Sequence, residues 1–181
     1  MEERNVGMLE NDRKGIALRT HPSFLYSIFP KVCLVLLLLF LLQSCDSKRL
    51  YEENKEIPGG QWSSKNKINF EFTIPDTTTV YNVLINVRNA SQYQFANLYL
   101  FVTTTYPDGK TSKDTLDCPL QDPTGKWLGK GIGDLWDNRL LFKPSVKFRQ
   151  AGKYKLEYEQ AMRVDPLPMI TDVGLRVERV Q

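Results

Sequence analysis

The chain predicts an all-β fold, an antiparallel sandwich with jelly-roll-like connections, preceded by a signal peptide and a flexible tether. Three observations carry that expectation. Period-two alternation of apolar and polar residues recurs in short runs from residue 67 to the end. Turn-forming clusters rich in Pro, Gly and Asp separate the runs. No stretch of this region keeps a helical period for more than two turns, and short strands spaced in this way belong to sandwiches. An outer-membrane barrel fits poorly, because the strands are short and the loops polar on both sides.

Before the strands comes VCLVLLLLFLLQSC, residues 32–45, with Lys31 in front of it. Its apolar core, Val32 to Leu42, is 11 residues long, a helix of roughly 16 Å. A bilayer core is about 30 Å thick and needs about twenty apolar residues. A basic residue, a short apolar core and a small residue before the cut describe a secretory signal. Leu42-Gln43-Ser44-Cys45 has the form of a bacterial lipobox, whose cysteine takes a diacylglycerol before cleavage in front of it. Residues 1–44 are therefore expected to leave as a signal peptide with a long n-region, in which Met8 offers a second start. Cys45 becomes the lipidated N-terminus, and residues 45–66, broken by Pro58-Gly59-Gly60, read as its tether. The sandwich domain is expected over 67–181.

Removing residues 1–44 takes away five of the 24 basic and four of the 21 acidic side chains and leaves a formal charge of +2. That balance argues against nucleic acid, which demands a concentrated basic face. Lys48 and Arg49 stand beside the lipid, where headgroups are within reach. Cys118 is the single thiol left, so no internal disulfide is expected, and it reads as a small buried hydrophobe.

The strands follow in order. Ile68, Phe70, Phe72 and Ile74 alternate with polar partners until Pro75-Asp76, and Tyr81, Val83, Ile85 and Val87 repeat the pattern. Asn97 to Thr105 is apolar on both faces, the mark of a central strand. Pro107-Asp108-Gly109 is hairpin chemistry, and Thr111 to Leu116 returns from it. Residues 117–139 hold two prolines, four glycines and two tryptophans without a period and read as irregular. Strand patterns resume at Leu140–Lys143, Ser145–Phe148, Tyr154–Tyr158 and Val173–Val177.

Chemistry finds little purchase. His21, the sole histidine, is lost with the signal, which removes the usual base of a nucleophilic triad and any imidazole zinc ligand. Gly125 to Gly131 is one residue short of a phosphate loop and lacks its Ser or Thr, and Gly129-x-Gly131-x-Gly133 has the wrong dinucleotide spacing. Asp122, Asp134 and Asp137 crowd one region, yet without the EF-hand spacing for calcium. Glu157 and Glu159 share one strand face about 7 Å apart, as solvated faces commonly do. The expectation is a non-enzymatic protein with no metal and no cofactor. A partner surface is expected at Lys126, Trp127, Lys130 and Trp136, where lysines frame interface-type aromatics. The competing expectation for the two indoles is that they fold inward and plug one end of the sandwich.

Several blocks resemble one family: LYEEN at 50–54, NLYLFVTTTYPDGK at 97–110, DCPLQDPTGKWLGKGIGD at 117–134, EQAMR at 159–163 and DVGLRVE at 172–178. Together with the lipobox, they are similar to the gliding-motility lipoprotein GldH family. The resemblance implies a lipid-anchored protein of the cell envelope, on the extracytoplasmic side of the outer or inner membrane. It also implies work with envelope motility or type IX secretion proteins, and it brings no catalytic residues. The alternative from the residues alone is a carbohydrate-binding envelope lipoprotein whose aromatics stack on sugars.

Overall fold

In a computed structural model, residues 46–180 are described. The expected signal segment and Cys45 lie outside the described residues. The strands are β1 (Arg49–Glu56), β2 (Gln61–Trp62), β3 (Ile68–Ile74), β4 (Val80–Ala90), β5 (Asn97–Thr105), β6 (Thr111–Pro119), β7 (Lys130–Ile132), β8 (Leu135–Lys147), β9 (Gly152–Gln160), β10 (Leu167–Pro168) and β11 (Ile170–Arg179). One sheet runs β1-β11-β4-β8-β7 and the other β3-β9-β5-β6, with β10-β2 as a small ribbon, and every pairing is antiparallel.

Leaving out β2, β7 and β10, the eight long strands pass from one sheet to the other at every step but β5 to β6, which is a hairpin. The first strand lies beside the last, and the second beside the last but one. This is the wrapped, double Greek-key order of a jelly roll. The inward residues of both sheets form one core: Phe70 and Phe72 of β3, Tyr81 to Val87 of β4, Leu98 to Val102 of β5, Tyr154 to Tyr158 of β9, and Val173 to Val177 of β11. Alternation in the sequence thus became alternation between core and solvent, because successive strand side chains point to opposite faces.

The hairpin turn behaves as its residues dictate. Gly109 takes φ +81° and donates its N–H to the Tyr106 carbonyl at 2.9 Å. Asp108 accepts from the Lys110 N–H at 3.1 Å. Cys118 is fully buried, and that burial, with the charge of Asp117 second, pushes its thiol up to about 12.

Two sequence expectations change. Residues 49–62, placed in the tether, join the sandwich as β1, a turn at Pro58–Gly60 and β2, with Trp62 fully buried. β1 hid because its charged residues are satisfied by ions and dipoles rather than by apolar neighbours. Lys55 lies over the Phe70 ring and donates to the Asn69 carbonyl, while Tyr51 donates to Glu53. Residues 117–139 are not irregular throughout, since they hold the end of β6, all of β7 and the start of β8. There the inward position 138 is an asparagine. It breaks the apolar pattern, and its side-chain amide donates to the Val87 carbonyl at 3.2 Å and to the Asn89 side-chain oxygen at 2.9 Å.

Candidate functional site

Between β6 and β7 the chain folds into a small loop of its own. Gln121 bridges Trp127, Asp122 donates its N–H to the Lys126 carbonyl at 2.9 Å, and Leu128 donates to Leu120 at 2.9 Å. The Asp122 carboxylate ties the tip by accepting from the Thr124 hydroxyl and the Lys126 N–H, and these bonds hold it below the usual carboxylate range. Leu120 and Leu128 then part company: the first is fully buried, the second is 56% exposed.

Trp127 and Trp136 come together from this loop and from β8. Their rings stack with centroids 6.1 Å apart and 24° between planes. Both are half-buried. Trp127 leans on the core, and Trp136 donates its indole N–H to the Ser91 hydroxyl at 3.0 Å. Gly131 makes room for Trp136, since a Cβ there would stand 2.9 Å from the ring. Lys126 and Lys130 are exposed, and among the described residues neither forms an ion pair. The indoles are therefore neither free platforms nor sealed plugs.

Leu128, Gly129 and Lys130 also wall a groove of about 630 Å³ on the outer face of the larger sheet. Its floor is charged and internally paired. Arg88 donates to Asp137 at 2.6 Å and reaches Asp172 at 3.5 Å, and Arg139 reaches Glu52 at 3.1 Å. Burial raises Glu52, but bonds from Arg176 outweigh it and leave the carboxyl below its ordinary value. A carboxylate so held is a poor proton donor near neutral pH. Glu157 and Glu159 share Lys67, at 3.1 and 3.3 Å. Among the described residues no cluster of His, Cys, Asp and Glu is arranged to hold a metal.

The exposed Leu128 and the Arg–carboxylate floor escaped the sequence reading. The floor left a signal, the period-two alternation of Asp137 and Arg139 with Trp136 and Asn138, which the single buried polar residue disguised.

Comparison with known proteins adds the lineage. "Gliding motility lipoprotein GldH homolog" of Christiangramia forsetii is 40% identical over 148 residues, covering 78% of this chain and 90% of that protein. "Gliding motility lipoprotein GldH" of Flavobacterium johnsoniae is 38% identical over 153 residues, covering 81% and 94%. Among solved structures, a family GH115 4-O-methyl-α-glucuronidase is similar at a TM-score of 0.38 and 9% identity, over 76% of this chain and 18% of that one. The family model described as GldH lipoprotein matches residues 49–177, and the chain belongs to the GldH lipoprotein family.

Proposed function

We propose that the mature chain is a lipid-anchored, non-enzymatic protein of the gliding-motility apparatus in the cell envelope, and that it works through protein contacts at its Trp127–Leu128 end. The relatives' names support the motility and lipoprotein parts of this reading. The contact surface rests chiefly on one observation: an exposed Leu128 beside two lysines that lack carboxylate partners among the described residues, on a loop pinned by its own hydrogen bonds. A rigid apolar residue inside a polar rim is what a protein partner can bury.

Position supports it as well. The anchor, Cys45, precedes Arg49 by four residues, and Arg49 pairs with Glu178 at one end of the larger sheet. Trp136 pairs with Asn89 at the other end, about 20 Å away along the strands. The loop thus lies at the end of the sheet opposite the segment that follows Cys45 in sequence. Against catalysis stand the absence of histidine after residue 44 and the pairing of the groove's acids with arginines.

The experiment is site-specific photo-cross-linking in living cells. A photoreactive residue at Leu128 is expected to capture an envelope protein that the same residue at Lys153, near the anchored end, does not. Equal capture from both positions, or none from Leu128, refutes the contact surface. Fatty-acid labelling tests the anchor separately, because Cys45→Ala is expected to abolish it.

A further inference from the structure

The end of the sandwich where β1 begins holds a second cleft. β7 covers β8 only at residues 135–137, so the rest of β8 is a sheet edge, and β6 is the edge of the other sheet. Between the two edges lies a cleft of about 650 Å³ floored by Phe72, Phe142, Phe148, Tyr154 and Leu156. Lys143 reaches across to Asp114 at 3.0 Å and straps the edges together. Lys147 and Arg149 stand exposed at the mouth, and among the described residues neither forms an ion pair.

We propose that this cleft takes one acyl chain of an anionic phospholipid from the membrane that holds the Cys45 anchor, with the phosphate on Lys147 and Arg149. The proposal rests on the lipid-anchor reading. The cleft has the size that small-ligand sites show, and the one acid in its lining, Asp108, is already met by Lys110 at 3.1 Å. An apolar floor beneath exposed cations matches a tail beneath a negative head. Location selects the membrane as the source. Lys147 pairs with Val80, Tyr81 with Arg179, and Arg179 donates its N–H to the Lys48 carbonyl at 2.8 Å, so the mouth stands at the end where β1 begins. The four residues from Cys45 to Arg49 span at most about 14 Å. Lys48, Arg49 and Arg179 add positive charge at that end, where an anionic surface attracts it.

The intact lipoprotein is reconstituted in phosphatidylcholine vesicles doped with phosphatidylglycerol that carries a photoreactive group on one acyl chain. After illumination, adducts are mapped by mass spectrometry. Adducts are expected within residues 142–156. They should fall about tenfold when the probe is carried on phosphatidylcholine, and again with Lys147→Glu/Arg149→Glu. Both side chains are exposed, so the variant should melt like the parent. Adducts at residues 46–50 report insertion of the anchor. If these form while the cleft stays unlabelled, the cleft proposal falls and the anchor reading stands. If neither region is labelled, both fall. Cleft labelling indifferent to head group or to charge reversal also overturns an anionic-lipid site.

Discussion

Arg176 shows how this surface is held. It stands mid-strand on the outer face of β11, only 5% exposed, and its guanidinium meets Glu178 and Glu52 at 2.7 Å each and Asp46 at 2.5 Å. Burial lowers its affinity for a proton, and the three carboxylates more than restore it. Breaking a buried ion pair from one side typically costs about 3–5 kcal/mol. Arg176→Met is expected near the lower limit, because Glu52 keeps Arg139. Glu52 and Asp46 bind protons more weakly in the folded state than in the unfolded. Their stabilisation is therefore complete above the ordinary carboxylate range and is lost as pH falls through the folded pKa values. Thermal melts should show the parent losing stability below a pH of about 4.5, the ordinary value for Glu52, and Arg176→Met losing less. Parallel curves for the two proteins contradict this account. Cys118 makes a second residue-scale prediction. With its thiol pushed up to about 12 by burial, it should resist a thiol reagent in the folded protein and react once denaturant unfolds it.

At the scale of elements, legibility in the sequence followed the kind of neighbour each strand has. β3, β5 and β9 face a common core with Phe, Leu, Val and Tyr, so their period shows in the residues alone. β1 is an edge strand that packs only Leu50 and Tyr51 on the core, two neighbours in sequence, and its other contacts are a cation over a ring, hydrogen bonds and ion pairs, so no apolar period shows. Its union with β11 depends instead on close approach. A Cβ on Gly174 would collide with the Asn54 side chain and stand 2.8 Å from the Glu53 carbonyl oxygen, which is backbone. Gly174→Ala is therefore expected to push β1 away and cost about 1–3 kcal/mol, the usual range for overpacking. Hydrogen exchange should localise the damage, with β1 amides losing protection while those of β3 and β9 keep theirs. Uniform loss across both sheets would mean that β1 does not open by itself.

For the whole molecule, the sandwich was readable because strand spacing and turn chemistry agree, and the order of strands was not, because pairing between distant segments leaves no local mark. The same gap hid the candidate site. Trp127 and Trp136 were visible as interface-type residues, but nine positions of sequence do not reveal that one stacks on the other. Two substitutions separate a stabilising role of that stack from a role of the loop in partner contact. Trp127→Ala removes a half-buried ring that leans on the core, at a cost of about 2 kcal/mol, below the range of about 3–5 for a fully buried aromatic. Leu128→Asp alters an exposed side chain and should move stability by no more than about 0.5 kcal/mol. If the loop is a contact surface, Leu128→Asp abolishes gliding at an unchanged melting temperature. Trp127→Ala then stays defective even when cells are kept cool enough for the variant to remain folded. Should cooling restore Trp127→Ala and Leu128→Asp glide normally, the stack is only a brace for the end of the sandwich. The partner surface must then be sought on another face.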